Sequence, residues 1–160
     1  MDTNYYRQAD VLGRGHFNDD FGIYYITAGT EDIYDKIDLY ATARTDHSRT
    51  YAIEIKNYEN DEHPRAYEKF SWNGIDNGYM IDYEKVYHLC KVAEAEGRIP
   101  IIYARFSDWT IVWDMRNIPW KNRGRMMRVN KDGQNYGMEK EEAQVTYLYK
   151  KEAVYVKPTK

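Results

Sequence analysis

Two neighbouring segments of the chain alternate between apolar and polar residues, a pattern typical of half-buried β-strands. In residues 33–43 the apolar positions are Ile37, Leu39 and Ala41, and the other face carries Asp38, Tyr40 and Thr42. In residues 50–57 one face carries Ile53 and Ile55, and the other carries Ala52, Glu54 and Lys56. A polar connection at residues 44–49 joins the two segments, which predicts a β-hairpin. In a loop symmetric about Asp46, Asp38 lies opposite Glu54.

Two helices are predicted on either side of this hairpin in the chain. Residues 4–12 have a helical pattern, and we expect Gly13, with a second glycine two residues later, to end or bend that helix. Residues 81–96 form an amphipathic pattern with Asp82 as its N-cap. Gly97 is expected to end this second helix.

The remaining apolar segments predict the other strands of a sheet. They lie at residues 21–27, 100–106, 109–113, 145–149 and 153–156. An extended arm is the alternative for residues 21–27, and a helix is the alternative for residues 145–149. Residues 59–79 predict a long loop or short broken helices, and residues 118–138 a basic, irregular segment. The connection between Lys56 and Ile101 is long enough to join parallel strands. We therefore expect an α/β fold with a central mixed β-sheet flanked by helices.

Composition indicates one well-folded domain. The 160 residues predict a single domain, residues 1–160, because domains commonly have about 100–200 residues. The single cysteine, Cys90, excludes an intramolecular disulfide and a cysteine-based zinc site, and we expect it to be a buried free thiol. No apolar run approaches the roughly 20 residues of a membrane span, and the first residues lack a signal-peptide pattern. We expect a soluble, cytoplasmic protein with no membrane partner.

The charges are unevenly distributed along the chain, although the net charge is only −3. Six basic residues with no acid between them occupy residues 115–131: Arg116, Lys121, Arg123, Arg125, Arg128 and Lys131. Acids gather elsewhere, around residues 19–38 and 59–62. This distribution suits a protein that holds a metal ion in one place and phosphate in another, and the first five basic residues are the predicted nucleic-acid contacts. Ordinary solvated faces are the alternative.

The hairpin brings together residues that can hold a metal ion. Glu54 and Lys56 project to the same side of their strand, roughly 6.5–7 Å apart. Asp38 projects from the neighbouring strand, where opposed Cβ atoms are about 5 Å apart. Two carboxylates that close repel each other unless a cation lies between them, and Mg²⁺ commonly takes one or two carboxylates. The alternative is an exposed sheet face with charged cross-strand pairs.

The string Asp38, hairpin, Glu54-Ile55-Lys56 resembles the PD-(D/E)XK nuclease superfamily, whose members include restriction-endonuclease-like and Holliday-junction-resolvase-like enzymes. The resemblance covers about residues 5–113 and leaves a basic C-terminal extension, residues 115–160. It implies an αβββαβ core and an Mg²⁺- or Mn²⁺-dependent endonuclease that acts on DNA in repair, recombination or phage functions. It further implies that Asp38, Glu54 and the Ile55 carbonyl bind the metal. Lys56 would position the attacking water.

The chain departs from the pattern of that superfamily at two places. Ile37 replaces the proline of the motif, and the first predicted helix lacks the glutamate that often supplies a third ligand. Residues that could substitute for this acid are Gln8, Asp10, Glu31 and Asp32, and Asp35 is a rival to Asp38. One alternative is therefore a catalytically inactive nucleic-acid-binding or interaction module on the same fold. Another is a plain interaction protein with an acidic sheet face. A second copy of the chain is a candidate partner besides DNA.

Overall fold

The computed structural model describes residues 3–29, 37–130 and 140–160, with side chains at 11–28, 37–128 and 141–160. Along the chain the elements are helix α1 (Thr3–Phe21), strands β1 (Tyr25–Gly29), β2 (Leu39–Ala43), β3 (Thr50–Asn57), β4 (Ser71–Trp72), β5 (Ile75–Asp76) and β6 (Tyr79–Asp82), helix α2 (Tyr83–Glu96), and strands β7 (Ile99–Arg105), β8 (Trp109–Asp114), β9 (Arg125–Asn130), β10 (Lys140–Leu148) and β11 (Tyr155–Pro158). Short 3-10 helices lie at Tyr67–Phe70, Met115–Asn117, Trp120–Arg123 and Lys150–Glu152.

The main sheet is mixed, as the sequence predicts. Its six strands follow the order β1-β2-β3-β7-β8-β11. β3 and β7 are parallel, and every other neighbouring pair is antiparallel. The chain between β3 and β7 passes through α2, which confirms the predicted crossover between parallel strands. The protein is therefore an α/β protein with a mixed central sheet.

The predicted hairpin register is confirmed. Leu39 pairs with Ile53 and Tyr40 with Ala52, and the same register continued by one residue places Asp38 beside Glu54. The backbone N–H of Asp38 donates to the Ile53 carbonyl at 3.2 Å, which holds Asp38 against β3.

Two apolar cores lie on opposite faces of the main sheet. On the α1 face, Leu39, Ile53 and Ile55 pack with Phe17. On the α2 face, Ala52 packs with helix residues that include Val86, Leu89 and Ala93. Ile37 belongs to this second core, so its predicted place on the same face as Leu39 is wrong. The alternation fails there because β2 begins only at Leu39.

Of the two alternatives predicted for Gly13, an end or a bend of the helix, the end is wrong. Helix α1 continues to Phe21, and the predicted strand at residues 21–27 accordingly begins at Tyr25. Gly13 lies against β3, where an added Cβ would meet Ile55 Cγ2 at 2.6 Å. The glycine is needed for the close approach of helix and sheet rather than for a break.

Helix α2 and the strands that follow it agree closely with the sequence pattern. The side chain of Asp82 accepts a hydrogen bond from the Glu84 N–H at 3.0 Å and caps the helix. Gly97 ends it in the left-handed conformation, with φ of 66°. The helix begins at Tyr83. Ile81, which the sequence predicts as its first residue, lies in β6 instead. The strands predicted at residues 100–106 and 109–113 are β7 and β8.

A second, three-stranded sheet has the order β6-β10-β9 and packs beside α2 on the same face of the main sheet. β6 covers the end of the predicted long loop and the first residues of the predicted second helix, and β9 comes from the predicted irregular basic segment. Residues 145–149 are mostly in strand β10 rather than in a helix. In the parts of the chain that the structure describes, neither helix has the length and apolar character needed to cross a bilayer.

Candidate functional site

The carboxylate of Glu54 and the ammonium of Lys56 lie together on the α2 face of β3. Lys56 Nζ is 3.0 Å from Glu54 Oε1, and the two side chains are only 16% and 12% exposed. Strand alternation brings them to one face, and Ile53 and Ile55 anchor the other face in the α1 core. This does not resemble an exposed sheet face, because the two charges are largely removed from solvent.

Asp38 joins this pair from the end of the neighbouring strand. Its Oδ2 accepts a hydrogen bond from the backbone N–H of Ile55 at 2.8 Å. Ile55 is the residue between Glu54 and Lys56, so the Asp38 carboxylate is fixed to the backbone that carries the other two side chains. The structure therefore brings together all three residues that the sequence predicts to be catalytic.

The surroundings of Lys56 keep it protonated. Burial lowers the pKa of Lys56, but the negative charges of Glu54 and Asp38 and the nearby Tyr58 hydroxyl act more strongly together, and its pKa lies above the ordinary lysine value. At neutral pH this side chain is a hydrogen-bond donor and a positive charge.

A second lysine, Lys85, approaches the site from the first turn of α2. It is exposed, and the neighbouring positive charge of Lys56 lowers the pKa of Lys85. The sequence pattern alone did not single out this residue. The sequence feature that could identify it is its position at the border of the apolar stripe of α2, next to Val86 and four residues before Leu89. Two like charges held close together favour an anion between them.

Aromatic residues form a wall beside Lys56. The hydroxyl groups of Tyr58 and Tyr79 share a hydrogen bond, and the Tyr58 ring stacks on Phe106 with ring centroids 5.2 Å apart. Burial, followed by the contact with Tyr58, raises the pKa of the Tyr79 hydroxyl well above its ordinary value. The Arg65 guanidinium carbon lies 5.3 Å from the centroid of the Tyr58 ring, which adds a cation to this wall.

The donor set of the site fits a hard metal ion in its chemistry. Asp38, Glu54 and the Ile55 carbonyl offer only oxygen atoms, which Mg²⁺ and Mn²⁺ prefer. Among residues with described side chains, no group of three or more His, Cys, Asp or Glu residues could hold a metal ion.

The residues predicted as substitutes for a third acid cannot be placed. Gln8 and Asp10 lie on α1, but their side chains fall outside the described residues. Glu31 and Asp32, and the rival Asp35, also fall outside the described residues.

Two of the predicted nucleic-acid contacts form ion pairs within the protein. Arg116 Nη2 is 2.7 Å from Asp114 Oδ2, and both residues line a cavity of about 500 Å³ on the α1 face of the sheet. Arg123 Nη2 is 2.6 Å from Glu152 Oε2, and Arg123 Nη1 donates to the Tyr147 carbonyl at 3.1 Å. Arg116 thus lies on the face of the sheet opposite Glu54 and Lys56.

The other three predicted contacts are exposed on the α2 side. Lys121 and Arg125 lie over the rings of Trp120 and Tyr147, at 5.5 and 5.6 Å from the ring centroids. Arg128 faces Glu142 across the β9–β10 pair. The basic stretch is therefore divided between the two sides of the main sheet.

The free thiol of Cys90 is half-buried rather than fully buried. Burial raises the pKa of the Cys90 thiol to about 11, which leaves it protonated at neutral pH. The thiol is therefore a poor nucleophile.

Comparisons with protein-family models, with curated proteins and with solved structures found no match to this chain. The molecule is an α/β protein whose mixed sheet carries a carboxylate pair and a lysine beneath a helix.

Proposed function

We propose that the protein is a metal-dependent nuclease that hydrolyses phosphodiester bonds in DNA, with Asp38, Glu54 and Lys56 as its catalytic residues. The observation that carries this proposal is the burial of the Glu54–Lys56 ion pair next to the fixed Asp38 carboxylate. Burying such a pair costs free energy that an apolar pair would not, so stability alone does not explain it. The order α1, β1, β2, β3, α2, β7 is compatible with the αβββαβ order that the superfamily resemblance implies, with the short strands β4, β5 and β6 inserted between β3 and α2.

The residues of the site have distinct tasks in this proposal. Asp38, Glu54 and the Ile55 carbonyl would hold Mg²⁺ or Mn²⁺, which when bound supplies Lewis-acid activation of the phosphate and a more acidic water. The backbone hydrogen bond to Asp38 keeps its carboxylate in one orientation. Protonated Lys56 orients the attacking water and stabilises negative charge on the phosphate. Lys85, exposed in the first turn of α2 near Lys56, attracts the phosphate.

The proposal is tested by cleavage of linear and plasmid DNA with Mg²⁺ or Mn²⁺. Lys56→Ala and Glu54→Gln should each lower the cleavage rate by on the order of a hundredfold or more, and EDTA should abolish cleavage. Glu96→Gln is the matched control, because it breaks the Arg98–Glu96 pair at the exposed end of α2 without touching the site. Cleavage that survives EDTA, or that is equal in Lys56→Ala, contradicts the assignment.

A catalytically inactive DNA-binding module is the second candidate. The observation that favours it is the lack, among residues with described side chains, of a third His, Cys, Asp or Glu beside the two carboxylates. This candidate predicts DNA binding without cleavage on any substrate or metal, and no Mn²⁺ uptake in a titration followed by electron paramagnetic resonance. A protein that binds neither DNA at low salt nor Mn²⁺ contradicts both candidates.

A further inference from the structure

A small hairpin presents two apolar side chains to solvent. Trp72 and Ile75, cross-strand partners in β4 and β5, are 72% and 64% exposed. The turn between them consists of Asn73 and Gly74, with φ of 51° and 76°. Positive φ at both central residues is the geometry of the tight two-residue turn that Asn-Gly favours. The apolar tip is therefore held by a short, regular turn.

The base of this hairpin is fixed by partly buried hydrogen bonds. The Asp76 carboxylate accepts from the Tyr67 hydroxyl at 2.9 and 2.7 Å and from the Gly78 N–H at 2.8 Å. The Asn77 N–H donates to the Phe70 carbonyl at 2.8 Å. Tyr67 is fully buried in the α2-side core. A rigid base lowers the entropy lost when the tip binds a partner.

The base of the hairpin is connected to the candidate site through aromatic side chains. Phe70, the residue before β4, packs edge-on against Tyr79 with ring centroids 5.6 Å apart. Tyr79 shares its hydroxyl hydrogen bond with Tyr58, which follows Lys56 by two residues in the chain. Three aromatic side chains, those of Phe70, Tyr79 and Tyr58, thus connect the hairpin base to the end of β3 that carries the lysine of the site.

We infer that Trp72 stacks on an unpaired base of a nucleic acid whose backbone lies at Asp38, Glu54 and Lys56. This inference rests on the proposed function and narrows the substrate class to DNA that contains unpaired bases. Two side chains are too few for a stable protein–protein interface, which buries roughly 1,200–2,000 Å². One indole face matches one base face, and such stacking tolerates any sequence. The exposed Lys69, three residues before Trp72, adds a cation for the adjoining phosphate.

The test is a binding measurement in EDTA, in which no metal-dependent cleavage occurs. The full chain is titrated against a labelled single-stranded oligonucleotide and a blunt duplex of the same sequence, and anisotropy is recorded. Trp72→Ala should weaken single-strand binding on the order of tenfold, and Trp72→Phe should retain most of it. Tyr24→Ala is the matched control, because Tyr24 is an exposed aromatic residue next to β1, whose first residue pairs with Ala43 at the opposite end of β2 from Asp38. Its affinity should equal that of the unaltered protein.

Tryptophan fluorescence provides a second readout. Trp113 and Trp120 are buried, whereas Trp72 is the most exposed of the four tryptophans. The single strand should quench the emission of the unaltered protein and should leave that of Trp72→Phe nearly unchanged. Because Trp72 is at an exposed tip, both variants should unfold at the same temperature as the unaltered protein.

Three outcomes overturn the hairpin inference without bearing on the nuclease proposal. The first is an unchanged single-strand affinity in Trp72→Ala, and the second is an equal loss in Tyr24→Ala. The third is self-association that Trp72→Ala abolishes, because the tip would then contact protein. Binding through Trp72 without any cleavage contradicts only the nuclease proposal. Cleavage of DNA that Trp72→Ala binds equally well contradicts only the hairpin inference, and a complete lack of DNA binding contradicts both.

Discussion

Three residues make up the candidate site: Asp38, directly before β2, and Glu54 and Lys56 on β3. The sequence predicts which face they share, because strand side chains repeat every second residue. It does not predict the hydrogen bond from the Ile55 N–H to Asp38, which depends on where β2 begins. Nor does it predict Lys85, whose place depends on how α2 packs over β3. Periodicity fixes the direction of a side chain along its own element, whereas contacts between elements need the packed fold.

Glu54 and Lys56 should show a favourable interaction energy in a double-mutant cycle on the free energy of unfolding. Glu54→Gln and Lys56→Met should each lower the free energy of unfolding by about 1–3 kcal/mol, between the values typical of exposed and fully buried pairs. Each single variant leaves one largely buried charge without its partner. The double variant removes both charges, so it should lose less than the sum of the two. Urea unfolding of all four proteins measures this coupling.

The same cycle at Glu96 and Arg98 provides the control for the ion-pair prediction. That pair has side chains 42% and 27% exposed, so its coupling should be near zero. Equal coupling in the two cycles, or additive losses at Glu54 and Lys56, would mean that burial adds nothing to the interaction.

At the scale of elements, the strands at the centre of the main sheet were predictable and the ends of α1 and β2 were not. β3 follows the predicted residues 50–57, because its pattern is regular and polar loops bound it. The sequence pattern predicts an end or a bend of the helix at Gly13, yet this residue lies inside α1, where the helix approaches Ile55. Residue type alone does not distinguish a glycine that ends a helix from a glycine that allows close packing. Only the neighbouring element distinguishes them.

The pairing of Arg123 with Glu152 joins two 3-10 helices and predicts a pH dependence. Hydrogen bonds from Arg123 hold the pKa of Glu152 below its ordinary value of 4.5 in the folded protein. The pair therefore stabilises the fold fully above that ordinary value, and its contribution is lost as pH falls through the lower, folded-state pKa. Glu152→Gln should lower stability at pH 7 but lose less on acidification to pH 3 than the unaltered protein does.

Urea unfolding at pH 7 and at pH 3 measures this difference, and Arg123→Gln should reproduce it. Glu141→Gln, at an exposed acid of β10, controls for the removal of one carboxylate. If the Glu141 and Glu152 variants respond alike to acid, the Arg123 ion pair is not the cause. The sequence could not reveal this pair, because its partners are 29 residues apart.

At the scale of the whole molecule, the main sheet separates two groups of charges. Glu54, Lys56 and Lys85 lie on the α2 face, together with the second sheet and its exposed Lys121, Arg125 and Arg128. Arg116 lies on the α1 face, at the cavity, and is paired with Asp114. The sequence groups these cations because they are close along the chain. A chain that folds from one side of a sheet to the other divides such a run, and charge counting alone cannot show where.

DNA binding should therefore distinguish the cations of the two faces. Replacing both Arg125 and Arg128 by serine should weaken DNA binding and reduce the slope of log K against log salt by about 0.7–0.9 for each phosphate that is no longer neutralised. Arg116→Ser is the matched control from the same basic stretch, and both affinity and slope should stay unchanged. The measurement is anisotropy at several salt concentrations, in EDTA so that no metal-dependent cleavage occurs.

If Arg116→Ser lowers the slope as much as the double variant does, DNA binds across both faces of the main sheet, and the proposed path along the α2 side is wrong. If neither variant changes the slope, the basic stretch has no part in binding, and Lys56, Lys85 and Arg65 remain as the cations to test.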